Sequence, residues 1–216
     1  MNLLVAGGTG LVGRCFVDQA HGVGHRVVAV GRRAAAQADE NILSDFHDLP
    51  ELPVADCAIC VLGTTIKQAG SRWAFRAIDH DAVLSFASAV KSAGTGHFLV
   101  VTAVGANPKA RVFYSRIKGQ VEQALEDQNF ERLDVLQPGL LLGRRADSRP
   151  VETFLQRMAP LTDLLMRGPI GKYRSIPAPD VAKALLFLCQ QRSPGVYRHD
   201  TPSMRAMAGQ WESDGP

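Results

Sequence analysis

No stretch of this sequence approaches the roughly 18 uninterrupted apolar residues that a membrane span requires, so no membrane partner is expected. Cysteine is scarce. Cys15, Cys57, Cys60 and Cys189 are the four present, too few and too irregular for a secreted disulfide scaffold. No Cys/His grouping has zinc-ligand spacing, so no metal site is expected. Charge of one sign is also missing: the net charge is +3, which gives no reason to expect nucleic acid as a partner and leaves any basic site to be local. The opening Met1-Asn2-Leu3-Leu4 carries no basic segment, and Gly7 cuts its apolar run, so it does not read as a secretory signal. Internal repeats, low-complexity tracts and long linkers are absent. Together these absences predict a reduced, cytoplasmic, enzyme-sized protein.

Short β-branched runs alternate instead with longer helical patterns. Buried strands are expected at 2–7, 25–31, 41–44, 56–63, 97–103 and 133–138. Helices are expected at about 10–21, 70–93, 113–128, 151–166 and 179–191. This rhythm predicts an α/β fold, a Rossmann-type doubly wound parallel sheet with right-handed crossovers. A length of 216 residues suits a single domain over 1–216. The prolines from Pro150 to Pro179 break the rhythm, so about 140–175 should form a small irregular lobe on the substrate side. The tail from Thr201 to Pro216 is poor in aliphatic residues and reads as partly disordered.

The first strand runs into Gly7, Gly10 and Gly13, spaced G-x-x-G-x-x-G. Glycine allows positive φ and lets backbone approach a diphosphate, and the following helix N-terminus presents free N–H groups to the anion. Thr9 and Leu11 lie inside the same turn and join the three glycines as candidate cofactor contacts. An NAD site expects an acidic residue at the end of the second strand, but Arg32 and Arg33 stand there and the next acid is Asp39. Arginine would pair with a 2′-phosphate, so NADP(H) is the expected cofactor.

A second constellation lies in the 113–128 helix. Tyr114 and Lys118 are spaced i,i+4 and share a face beside an apolar stripe. A phenol with its ordinary pKa near 10 is too weak an acid for neutral chemistry, and a neighbouring ammonium stabilises its phenolate. Thr102 ends the preceding strand with a hydroxyl that could bond a substrate oxygen.

The glycine turn, "LGTTIKQAGS" (62–71), "HFLVVTAVGAN" (97–107), "YSRIKGQVE" (114–122) and "QPGLLLGRRADSRP" (137–150) together resemble the short-chain dehydrogenase/reductase superfamily. The likeness is to its small atypical branch, that of the Tat-interacting oxidoreductase-like proteins and their bacterial relatives. It implies Tyr114 as general acid/base and Lys118 as the group that lowers its pKa and binds the nicotinamide ribose. It also implies that Leu62, Gly63, Thr64 and Thr65 line the cofactor, with Pro138 and Gly139 near the nicotinamide. The chain departs from the family where paired serines are common, having Thr102-Ala103, and where an arginine commonly precedes Pro-Gly, having Gln137.

Arg144, Arg145 and Arg149 follow the sixth strand, at the edge where open α/β sheets bind ligands, and could recognise an anionic small-molecule substrate. A solvated loop explains them equally. Cys57 and Cys60 fall three apart in a strand, so their side chains should point to opposite faces. Asp45 or Asp48 is expected at the adenine end. The leading function is an NADP(H)-dependent oxidoreductase acting on a small carbonyl compound or alcohol. The alternative is an NADP(H)-binding sensor that acts through a protein partner without turnover. A sugar-nucleotide epimerase is disfavoured, since about 75 residues after the sixth strand leave a small substrate lobe. Helices 70–93 and 113–128 could form a homodimer face, although the core explains their stripes equally.

Overall fold

The computed structural model describes residues 1–143 and 168–214. The first three strands are β1 (Asn2–Ala6), β2 (Arg26–Gly31) and β3 (Glu40–Leu43). They are followed by β4 (Cys57–Cys60), β5 (His97–Val101) and β6 (Arg132–Gln137). A two-residue β7 (Leu141–Leu142) pairs in parallel with β8 (Ile176–Pro177), apart from the main sheet. A last strand, β9 (Gly195–Asp200), pairs along β6. The main sheet has seven parallel strands in the order β3-β2-β1-β4-β5-β6-β9. The expected doubly wound parallel sheet is therefore the fold. Its order reverses at β1, which opens a crevice at the carboxyl ends of β1, β2 and β4.

The period-two side-chain alternation of the strands builds two cores. Leu3, Val5, Cys57, Ile59 and Leu99 face one side, packing under α1 (Leu11–Gly22) and α6 (Ala178–Cys189). Leu4, Ala6, Ala58, Cys60 and Phe98 face the other, under α4 (Ala82–Ser92) and α5 (Phe113–Asp127). Both faces of the central strands β1, β2, β4 and β5 are covered, so these read as apolar runs. By contrast β3, expected as a buried strand at 41–44, is a largely exposed edge strand, and β9 at the other edge is exposed as well. Cys57 and Cys60 fall on opposite faces as the strand geometry requires, and all four cysteines are free.

The helix expected at 70–93 is one continuous helical run from Arg72 to Ser92 that changes its winding part-way, and a separate short helix precedes it. A short α2 (Ile66–Ala69) ends at Gly70, which takes a left-handed φ of +87°. Then α3 (Arg72–Arg76) runs through a π-helical turn, Ala77–Asp81, into α4. The extra residue of such a turn rotates its side chains off the regular helical face.

The Thr201–Pro216 tail departs from expectation. Thr201–Asp214 is a helix, α7, in which Met204, Ala208 and Trp211 are buried. Their spacing is a helical stripe built from Met, Ala and Trp rather than aliphatics, which a count of aliphatics misses. Asp200 starts the helix by accepting from the Ser203 N–H at 3.0 Å and the Ser203 hydroxyl at 2.7 Å. The helix expected at 151–166 and most of the proposed 140–175 lobe lie outside the described residues.

A buried polar cluster ties the starts of β4, β5 and β6 to β9. Asp134, fully buried, accepts from both nitrogen arms of Arg132 at 2.6 and 3.0 Å and contacts His97 and His199 at 2.8 Å each. His97 in turn meets Cys57 Sγ at 3.2 Å. Burial pushes against the Asp134 charge, yet the bonds from His199, His97 and Arg132 hold its carboxyl well below the usual range.

Candidate active site

The site begins at the glycine turn. Gly7 has a φ of +88°, and a Cβ there would lie 2.9 Å from Leu62 N and the Val61 carbonyl. Gly13 is more constrained: its Cβ would meet Gly7 O at 2.2 Å. Bare backbone is thus required at both positions. Gly10 caps α1 without any side-chain bond, and the first turn holds no acidic residue. The positive end of α1 is left for an anion.

A cleft of about 490 Å³ opens from this turn. Gly7, Thr9, Gly10 and Leu11 line it together with Arg32, Arg33, Leu62, Gly63 and Thr64. These nine cofactor candidates share one cleft at the sheet's crevice. Gly13 packs beneath the turn, and Thr65 caps α2 by accepting from Gln68 N at 3.1 Å. Asp45 and Asp48 are exposed; buried Phe46 lines the cleft between them, with a positive φ of 72°. Asp39 accepts from Val27 N at 2.7 Å.

Tyr114 sits in the first turn of α5, half-buried, with its ring centroid 5.6 Å from that of Phe75. Lys118, one turn on, is buried, and its Nζ lies 2.8 Å from Asp79 Oδ1. A Cβ on Gly63 would stand 3.9 Å from the same Nζ, so Lys118 reaches the wall of the cleft. Asp79, on the π-helical turn, is 0% exposed, and its Oδ2 accepts from Thr64 N at 2.8 Å. Burial works against the Lys118 charge, but the Asp79 carboxylate beside it raises its pKa above the ordinary lysine value. Asp79 was not identifiable from sequence, because on a regular helix its direction would differ. The loop after β5 crosses α5 at Gly119, where a Cβ would lie 2.2 Å from Asn107 C.

Thr102 is buried at the end of β5, and its hydroxyl donates to Glu122 Oε1 at 2.5 Å. Gln137 Nε2 donates to both Glu122 oxygens at 3.0 and 2.9 Å. Thr102 thus belongs to a Thr102–Glu122–Gln137 unit in which burial raises the Glu122 pKa. Glu122 was also missed, although it follows Tyr114 and Lys118 at i+8 and i+4. Pro138 is buried, and its carbonyl accepts from Val104 N at 2.9 Å. Arg144, Arg145 and Arg149 lie outside the described residues.

The sequence model of the family described as HIM1 matches residues 27–167. The chain belongs to the HIM1 family. Among HIM1 relatives, Protein HTATIP2 of Rattus norvegicus is 32% identical over 168 residues, covering 72% of this chain and 69% of that one. Protein FMP52, mitochondrial, of Coccidioides immitis is 31% identical over 157 residues, covering 73% of this chain. The match spans 64% of that relative, just under two thirds of its length. The resemblance to the Tat-interacting, atypical short-chain branch is thus shown. The expected cytoplasmic location is not: FMP52 of Coccidioides immitis and fmp52 of Emericella nidulans are named as mitochondrial proteins, and that assignment is withdrawn.

Among solved structures, MoeE5 in complex with UDP-glucuronic acid and NAD superposes with a TM-score of 0.73 at 18% identity, covering 92% of this chain and 75% of that one. Human epimerase family protein SDR39U1 with NADPH gives 0.68 at 23%, covering 94% and 75%. These similarities show that the HIM1 chain shares their Rossmann-type α/β fold.

Proposed function

We propose that this HIM1 protein is an NADP(H)-dependent oxidoreductase acting on a small carbonyl compound or alcohol. One observation carries the reading: a single cleft joins the glycine turn, the arginine pair and the 62–64 loop, and the Lys118 ammonium stands at its Gly63 wall beside Tyr114. The residues fit a dinucleotide, since backbone packs against Gly7 and Gly13 too closely for any Cβ, which holds the turn tight, and the α1 N-terminus it opens has no side-chain cap. HTATIP2 and FMP52 support the family, and SDR39U1 was solved with NADPH.

Gly7, Thr9, Gly10 and Leu11 would hold the diphosphate, over the Gly13 packing contact. Arg32 and Arg33, exposed at the end of β2, would pair with a 2′-phosphate. Asp39 bonds Val27 N and is taken out of competition for the ribose. Phe46 supplies an apolar wall for a base. Leu62, Gly63, Thr64 and Thr65 would border the nicotinamide half, with Pro138 beyond. A nicotinamide dinucleotide bound there supplies the two-electron redox chemistry. Tyr114 gives or takes the proton at the substrate oxygen through its phenol, and Lys118 stabilises the phenolate. Thr102, whose hydroxyl keeps lone pairs free to accept, contributes to orienting the substrate through the unit it forms with Glu122. Arg144, Arg145 and Arg149 remain candidates for an anionic group on the substrate.

Tyr114→Phe tests the reading. Turnover of an aldehyde and ketone panel with NADPH should fall by a factor of about 100 or more, with NADPH affinity unchanged. Equal turnover by the variant would refute the assignment. Tight cofactor binding without turnover by the unaltered protein would favour a sensor.

A further inference from the structure

The carboxylate of Asp79 touches two parts of the site at once. Oδ1 meets the Lys118 ammonium at 2.8 Å, and Oδ2 accepts the Thr64 N–H at 2.8 Å. Burial pushes the Asp79 pKa up, but the ammonium facing Oδ1 and the N–H bonded to Oδ2 both favour the ionised carboxylate, the form that the geometry suits. Asp79 is 0% exposed and Lys118 is nearly as buried, so water screens neither charge. A lysine in such surroundings without a counter-ion tends to shed its proton.

From these contacts we infer that Asp79 is a positioning residue: it keeps Lys118 a charged ammonium one helical turn from Tyr114 and ties it to the cleft-lining loop at Thr64. The inference deepens the proposed role of Tyr114 and Lys118 and rests on it. The π-helical turn is what makes the arrangement possible, because it brings Asp79 inward from a helix whose neighbours, His80 and Asp81, pair with one another at 2.7 Å nearer the surface.

Among the described residues, the titratable groups around Lys118 come from three elements. Asp79 approaches from the π-helical turn, Tyr114 from α5, and Cys60 from the end of β4. Burial pushes the Cys60 thiol up to about 12, so it stays neutral and does not share the charge. Asp79 is then the anion that balances Lys118. When the Tyr114 proton leaves, the ammonium is in place to receive the phenolate charge.

The test needs neither substrate nor cofactor, so it can fail independently of the proposed activity. The side-chain ammonium signal of Lys118, assigned with Lys118→Met, is followed by NMR from about pH 6 to about pH 11 in the full chain, and tyrosinate absorbance is followed in parallel. The chain has three tyrosines, and Tyr114→Phe isolates the one of interest. In the unaltered protein Lys118 should remain protonated beyond the ordinary lysine range. Asp79→Asn should release that proton earlier by about one pH unit or more and move the Tyr114 titration upward. Asp79→Glu should restore both in part. An unmoved Lys118 titration in Asp79→Asn overturns the inference, as does a shifted Lys118 beside an unmoved Tyr114. Should Asp79→Asn not fold, the unaltered protein still decides: a Lys118 that loses its proton below the ordinary range sinks the idea.

Discussion

At the scale of single residues, the site depends on places where a side chain is forbidden as much as on those where one is required. The oxygen of Gly7 lies where a Gly13 Cβ would need to be, at 2.2 Å, and the obstacle is backbone rather than a flexible side chain. Gly13→Ala should therefore open the turn and weaken nucleotide binding by a factor of about 10 or more, an expectation calorimetry with NADPH can check. Gly119→Ala meets the backbone of Asn107 and Pro108 just as closely and should displace the crossing loop. Because Gly119 directly follows Lys118, that variant should lower kcat more than it weakens cofactor binding, as steady-state kinetics beside calorimetry would reveal. The glycines, Arg32, Arg33, Tyr114 and Lys118 could be singled out because residue type and spacing within one element suggest the roles proposed for them. Asp79 and Glu122 were not, since each works through a partner on another element, Thr64 for one and Thr102 and Gln137 for the other.

At the scale of elements, periodicity identified the six expected strands and missed β9, whose residues 195–200 carry Tyr197, Arg198 and His199 in place of an aliphatic run. What holds β9 to β6 is partly polar. His199 joins Asp134, and the Arg132 guanidinium stacks over the Tyr197 ring at 4.3 Å. Breaking one member of a buried charge network leaves the others uncompensated. Asp134→Asn should accordingly lower unfolding stability by about 3–5 kcal/mol, read from urea melts at neutral pH. The pH dependence has a definite sign. The Asp134 carboxyl is depressed in the folded state, so its contribution is full above its unfolded value of about 3.9 and is lost as pH falls through the lower folded value. His97 runs the other way: burial works against its charge, but Asp134 and Cys57 raise its pKa, so its contribution is present at low pH and lost as pH rises through the raised value. The gap between unaltered and Asp134→Asn protein should thus widen as pH falls through the raised His97 value and close only below about 4, as Asp134 takes up its proton. A gap that stayed open at the lowest pH would contradict the assignment of charge to Asp134.

At the scale of the whole molecule, the cleft lies where the sheet reverses direction, so a ligand in it touches β1, β2, β4 and the loops that follow them at the same time. Such a ligand binds the folded chain and has nothing equivalent to bind when the chain is unfolded. Folding and cofactor binding are then linked, and a nucleotide at about 100 times its Kd should add about 2.7 kcal/mol to stability. For a chain of this size that corresponds to a rise in Tm of roughly 5–10 °C. The rise also reports selectivity. Arg32 and Arg33 are exposed at the rim, and if they pair with a 2′-phosphate as proposed, NADPH should raise Tm more than NADH at equal concentration. Replacing both arginines with alanine removes the forked donors without touching the glycine cradle. The double variant should lose the extra rise with NADPH while keeping the rise with NADH. If the two nucleotides raise Tm equally in the unaltered protein, the arginine pair does not select the phosphate and the preference for NADP(H) falls; if neither raises it, the dinucleotide reading of the cleft falls as well.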